Sequence, residues 1–469
     1  MPVAVTSEVA TIAPVAVSAI AAIEEDAGTG RKRTPIRRVE CPARSGLDRE
    51  GSAAAGPVDC PFVSDGRDPG FRDILRIPEI RAAMIGTFVL MLGFGILSPV
   101  LPNYARSFGV GYDAVGILVA SFSLTRLAFD PVVGRFIDRF GERAMATAGA
   151  VVVGATSGLA ALAPTFPLLV VFRAAGGAGS ALFFAALLSF LLRTIPPDRV
   201  GRVMSVYYAS FNVGIIAGQP LGGLVANWFG LASPLWVYAG SCFVSAWLFY
   251  RAIRNPERPA NEVRRGGLRR LPWRRPFVTA LTVNGAYLFM IGAVFSTLIP
   301  LFGREDEGVG LSLSGVGLGL AIATATEFAV LFPAGKATDR RGRKAVLVPA
   351  FAGLAAITAV LGLADHPVSF MVAMGVLGVV SGYAGVPPAA MLQDLTPEGL
   401  SGSAVAAFRF VGDLGFVLGP LVAGWTASAF GFGTAFLVCA IPSALAFGLL
   451  LSIPETLPAL PRTGEAPGL

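Results

Sequence analysis

Six charged side chains interrupt long apolar runs: Arg126, Asp130, Arg173, Glu327, Arg409 and Asp413. Charge in such surroundings is costly, so it is retained for pairing, for moving ions or protons, or for holding a ligand. Arg126 and Asp130 are four residues apart, as are Arg409 and Asp413, so each pair shares one helical face. Arg173 and Glu327 have no opposite charge one turn away. Glu327 is therefore the leading candidate to bind and release a proton. Asp413, Asp130 and a pairing of Glu327 with Arg173 are the rival assignments. Arg173 is a candidate contact for an anionic substrate. Arg126, Arg409, Tyr208, Asn212, Asn284 and Tyr287 are further candidates to line a cavity, against the default that buried polar groups satisfy one another.

Other chemistries are poorly supplied. One histidine, His366, argues against a His-based metal site or a Ser-His-Asp triad. The four cysteines are scattered without a CxxC spacing, so neither a metal site nor a disulfide framework is expected. No Walker loop, HExxH or GxSxG in an enzyme context appears, so the chain is expected to be no enzyme, to need no cofactor and not to use ATP.

The elements that carry these residues are long and apolar. Of 469 residues, 54% are hydrophobic and only 14% charged. Soluble domains carry about 25% charge, so a soluble enzyme is disfavoured. From Arg81 onward, twelve apolar runs follow one another, the first at 82–103 and the last at 433–452. Each approaches the ~20 residues that a spanning helix requires. The loops between runs two and three, four and five, six and seven, and eight and nine hold most of the Arg and Lys that follow Arg81. The positive-inside rule then places them, and both termini, in the cytoplasm of a plasma-membrane protein. The net charge of +7 is therefore topological rather than a nucleic-acid surface. The expected organisation is a disordered cytoplasmic tail (1–75), a six-helix bundle (76–252), a basic linker (253–275), a second bundle (276–455) and a short tail (456–469). For the first tail, a regulatory or partner role competes with an over-extended start site.

The halves repeat. Gly134 recurs as Gly335, 201 residues on, and the same shift pairs Pro99 with Pro300, Asp138 with Asp339, Arg139 with Arg340, Gly141 with Gly342 and Gly218 with Gly419. Two units of equal topology suit a transporter with its site between them. The loop Gly134-Arg135-Phe136-Ile137-Asp138-Arg139-Phe140-Gly141-Glu142-Arg143 and its partner Gly335-Lys336-Ala337-Thr338-Asp339-Arg340-Arg341-Gly342-Arg343-Lys344 resemble the signature loops of the major facilitator superfamily. Arg173-Ala174-Ala175-Gly176-Gly177 is similar to a further motif of that family, with glycine for its usual glutamine. Gly214, Gly218, Pro220, Gly222 and Gly223 resemble the Gly-Pro motif of its drug/proton antiporter branch, and Gly415, Gly419 and Pro420 stand at the matching places in run eleven. The resemblance covers roughly residues 76–455.

The resemblance implies an all-α membrane protein of two six-helix bundles. It implies that Asp138 and Asp339 help lock the cytoplasmic side, and that helices 5 and 11 form a pliant seam between halves. Helices 2 and 11 would meet across the interface, matching Asp130 with Arg409 and Arg126 with Asp413. The repeat register puts Glu142 where the second half has Arg343, and Arg193 where it has Asp394, which predicts ion pairs Glu142–Arg193 and Arg343–Asp394. In the loops, glycine is expected to make the turn and Asp to cap the next helix. The leading function is proton-coupled efflux of small hydrophobic or drug-like compounds by a monomer in the lipid bilayer. An uptake symporter for a sugar, organic anion or metabolite, and a non-transporting sensor, are the alternatives.

Overall fold

Helices run through nearly all the residues that the computed structural model describes, 77–195, 200–255, 270–305, 308–397 and 400–456, and no strand occurs among them. The expected tails, apart from Thr456, and most of the expected linker lie outside the described residues. In the first half, α1 (Pro78–Leu97) continues after a turn as Leu101–Arg106. It is followed by α2 (Tyr112–Phe140), α3 (Glu142–Ala161), α4 (Phe166–Thr194), α5 (Val200–Phe229) and α6 (Ser233–Ala252). In the second half, α7 (Arg275–Met290) passes through a π-helical stretch, Ile291–Leu298, into Ile299–Phe302. Then come α8 (Leu313–Arg341), α9 (Arg343–Leu361) and α10 (Pro367–Gly385), which breaks at Val386 and resumes as Pro387–Leu395. A final helical stretch, Ser401–Leu451, is divided by Gly431, whose φ of 79° is non-helical. That division gives α11 (401–430) and α12 (432–451).

Ten stretches are long and apolar enough to cross a membrane, the last of them holding both α11 and α12. Ser233–Ala252 is outside that set; its Trp236, Tyr238, Trp247 and Tyr250 lower its hydropathy, yet it packs on α1 and α3. Twelve spans result.

The two halves use the same neighbours. In the first, α1 packs on α5 and α2 on α4; in the second, α7 packs on α11 and α8 on α10. Between halves, α2 meets α11 and α5 meets α8. The α2–α3 and α8–α9 loops lie on one face, where the ends of α6 and α12 reach them; we call this the basic face and the opposite one the far face.

Close packing rests on small residues. A Cβ on Gly214, Gly218 or Gly222 would lie within 2.7, 2.3 or 2.1 Å of a carbonyl oxygen of α1. Gly415 and Gly419 meet α7 in the same way. This corrects the expected role of these positions: they fasten helices inside each half rather than form the seam between halves. Spacing of four shows that a backbone comes close but does not say whose. Three other members of the same motifs, Pro220, Gly223 and Pro420, do stand between the halves. A Cβ on Gly223 would meet Leu313 and Ser314, and Gly317 lies against Gln219 and Pro220. Gly116 lies against Pro420, and Gly424 against Tyr112.

Candidate functional site

Antiparallel helices with matched charge patterns pair position for position, and α2 and α11 do so. Arg126 forms an ion pair with Asp413, and Arg409 Nη2 lies 3.4 Å from Asp130 Oδ2. Both pairs cross between halves. The first is deeper, with the Asp413 side chain only 6% exposed, while the Arg409 side chain of the second is 43% exposed. A desolvated pair needs each partner to compensate the other. The four charges therefore stand as two rungs of a ladder, the outer rung wetter than the inner.

Glu327 on α8 takes a different partner. The Tyr287 hydroxyl of α7 donates to Glu327 Oε1 at 2.8 Å, and Ser381 Oγ of α10 donates to the Tyr287 oxygen at 3.4 Å. The fit needs glycine: a Cβ on Gly385 would sit 2.8 Å from the Tyr287 hydroxyl, and one on Gly382 would sit 2.8 Å from the Glu327 carbonyl oxygen. The alternative pairing of Glu327 with Arg173 is not formed, because Arg173 is packed against Phe122 within its own half. Arg173 is 7% exposed and has its guanidinium 4.1 Å from the Phe122 ring centre, facing Tyr238 and Cys242 of α6. Among the described residues no carboxylate meets it, and its Nε has no acceptor.

The remaining polar candidates separate. Asn284 is buried and donates to the Phe408 carbonyl at 2.9 Å, so it ties α7 to α11 rather than lining a cavity. Asn212 donates to the Tyr208 carbonyl at 2.8 Å on its own helix, and Tyr208 is exposed.

On the basic face, both ion pairs expected from the repeat are present as contacts. Arg193 Nε lies 3.5 Å from Glu142 Oε1, and Arg343 Nε lies 2.9 Å from Asp394 Oδ2. Ser189 also donates to Glu142. Arg343 further contacts Asp339 at 3.4 Å. The loop chemistry follows expectation in having glycine turns and differs in its helix caps. Gly134 and Gly335 are helical; the turns are made by Gly141 and Gly342, with φ of 87° and 105°. Arg139 and Arg340 occupy the last turns before them. The caps that were expected from Asp138 and Asp339 come from elsewhere. Asn255 Oδ1 accepts the Arg143 N–H at 2.9 Å. In the second half a Glu455 carboxylate oxygen accepts the Arg343 N–H at 2.8 Å and the Lys344 N–H at 3.2 Å. These caps come from the ends of α6 and α12, more than a hundred residues away, where the capping pattern of a local sequence has no reach.

The far face carries a second set of contacts between halves. Asn103 Nδ2 donates to Pro99 O at 3.2 Å and to Pro300 O at 3.0 Å, two prolines related by the repeat. Arg106 Nε lies 3.4 Å from Glu305 Oε1, and its guanidinium covers Tyr112 at 4.4 Å. Asn227 Nδ2 donates to Ser314 Oγ at 3.1 Å, and the Asp113 N–H to Ser428 Oγ at 3.1 Å. The sequence shows these as loop charges and isolated polar residues; nothing in their spacing signals the pairing.

Two repeated six-helix halves, joined by polar latches on one face and a charge ladder within the spans, define a polytopic membrane transporter rather than an enzyme. A family model described as Major Facilitator Superfamily matches residues 83–330 and 307–468, and the chain belongs to that family. Multidrug resistance protein 1 of Bacillus subtilis (strain 168) is 28% identical over 180 residues, 38% of this chain and 46% of that relative. The match thus spans less than half of that protein. The chloramphenicol resistance protein of Streptomyces lividans is 26% identical over 292 residues, 61% of this chain and 73% of the relative. Among solved structures, a bacterial homolog to the human lysosomal transporter Spinster, inward-facing and occupied, superimposes with a TM-score of 0.67 at 15% identity, covering 80% of this chain and 95% of that one. A D-xylose-proton symporter does so with a TM-score of 0.67 at 18% identity, covering 81% and 98%. At that identity the structures share the fold alone.

Proposed function

We propose that the protein exports small hydrophobic or drug-like compounds from the cell in exchange for protons, by alternating access of a site between its halves. The observation that carries the coupling is Glu327, a carboxyl within a span that is held by a tyrosine hydroxyl and not by a cation. Such a group can exchange a proton without dismantling an ion pair. The drug-resistance names of the relatives support export over uptake. In this reading the protein lies in the plasma membrane with its basic face in the cytoplasm. The latched far face is then external, and the ladder of Arg126, Asp413, Asp130 and Arg409 lies on the path that opens and closes toward the cytoplasm.

The test is a resistance profile of cells expressing the protein, with and without a protonophore, followed by flux in proteoliposomes with an imposed pH gradient. The parent is expected to confer resistance that the protonophore removes. Glu327→Gln is expected to lower gradient-driven flux at least about tenfold, in keeping with a residue on which the driving step depends. Full gradient-driven flux in that variant would exclude Glu327 as the coupling group.

A further inference from the structure

Glu327 lies close to two irregular stretches, one in α7 and one in α10. Tyr287, its hydrogen-bond donor, precedes the π-helical stretch Ile291–Leu298 by one turn. The same tyrosine ring rests against Gly385, the last residue of α10 before its break at Val386 and Pro387. The π-helical stretch is built in: Ser296 and Thr297 hydroxyls donate five residues back, to Ile291 O and Gly292 O, and Pro300 removes a backbone donor just beyond. Stretches of this kind collect at functional positions. Tyr287 thus joins the carboxyl of α8 to the break of α10, one turn before the irregular part of α7.

We infer that Tyr287 is the positioning residue of the coupling acid: its hydroxyl sets the proton equilibrium of Glu327 and passes the change of charge to the break in α10. The inference rests on Glu327 being the coupling group. The physical basis is the direction of the hydrogen bonds. Tyr287 gives its only proton to the carboxylate, and Ser381 supplies a proton to the tyrosine oxygen in turn. A donated hydrogen bond favours the charged form of its acceptor, and a chain of two polarises each bond. When Glu327 takes up a proton, the donor is no longer held by a charge and the ring contact at Gly385 is free to shift.

Among the described residues, the side chains acting on this carboxyl are Tyr287 and Ser381. Of the elements packed on α8, α7 offers Tyr287 and α10 offers Ser381. Tyr383 of α10 lines a groove against α9 instead, with Ala345 and Val346. The α5 contacts with Gly317 and Ser314, through Gln219 and Asn227, lie near the start of α8, ten or more residues before Glu327.

The experiment compares the pH dependence of substrate flux in proteoliposomes for the parent, Tyr287→Phe, Glu327→Gln and the double variant. Phenylalanine keeps the ring against Gly385 and removes only the hydroxyl. We expect Tyr287→Phe to transport, with its half-maximal point moved to higher pH by about half a unit to one unit, the size of one hydrogen bond's preference. In the Glu327→Gln background the tyrosine change is expected to move nothing further, since it acts through the carboxyl. Ser381→Ala is expected to move the profile in the same direction by less, and serves if Tyr287→Phe does not fold. A profile unmoved in both Tyr287→Phe and Ser381→Ala, while Glu327→Gln loses its proton drive, overturns the role of Tyr287 and leaves the coupling role of Glu327 intact. Proton drive retained in Glu327→Gln overturns both.

Discussion

Single residues show where charge is costly and how this chain compensates it. Arg343 and Asp394 are 11% and 12% exposed and 2.9 Å apart, and Arg343 also donates to Thr338 O at 2.9 Å. Asp394→Ala removes the carboxylate from a mostly buried guanidinium. The expected cost is about 2 kcal/mol, because the exposed Asp339, 3.4 Å from Arg343, compensates the guanidinium only in part. Thermal unfolding of the purified protein in detergent measures it, and a midpoint within about a degree of the parent would place this pair among the inconsequential surface ones. This pair and its counterpart, Glu142 with Arg193, were legible because a repeat at fixed offset brings matched positions to matched places, and the signs are exchanged between them. The surroundings of Arg173 were not legible. Phe122, Tyr238 and Cys242 reach it from α2 and α6, and no spacing along one chain encodes a contact among three helices.

Helices set how closely the halves of the chain can be built. Runs of apolar residues announced twelve spans because lipid leaves a helix no other way to satisfy its backbone. The division at Gly431 falls between runs eleven and twelve, but two breaks inside runs were not announced: the π-helical part of α7 and the break of α10 arise where hydroxyls, prolines and neighbouring rings compete for backbone groups. The glycine pattern was legible in kind, and its partner was mistaken at Gly214, Gly218, Gly222, Gly415 and Gly419 but not at Gly223. Gly218 faces Leu92 O of α1, with no room for a methyl group, whereas Gly240 has nothing within 4 Å. Gly218→Val is therefore expected to separate α1 from α5 and to abolish folded protein in the membrane, with the multi-kcal/mol penalty of an overfilled core, about 3 kcal/mol or more. Gly240→Ala is expected to be expressed and active like the parent. Size-exclusion profiles of the two variants decide the matter, and a well-folded Gly218→Val would remove the α1–α5 contact from the account of stability.

The whole molecule is held in one of its states by contacts on one face. Asn103 bridges two prolines that the repeat relates, Arg106 meets Glu305, and Asn227 meets Ser314, all between the halves and all on the far face. A transporter that alternates must break this set in every cycle, because the halves cannot part on that face while it stands. The seam glycines Gly116, Gly223, Gly317 and Gly424 make the closed face tight, since each lies against backbone of the other half. The polar contacts above them are individually weak, of the order of 1 kcal/mol each, which suits a latch that must open. A covalent bond in their place is different. Asn227 and Ser314 side chains are 3.1 Å apart, so Asn227→Cys with Ser314→Cys, in a chain whose Cys41 and Cys60 are replaced by serine, is expected to form a disulfide on mild oxidation. Flux is expected to fall at least about tenfold when the bond forms, as a required opening step is blocked, and to return on reduction. The single-cysteine variants, oxidised alike, control for damage. Full flux in the cross-linked protein would mean that the far face need not open there, and the alternating use of the two faces would have to be given up for this chain.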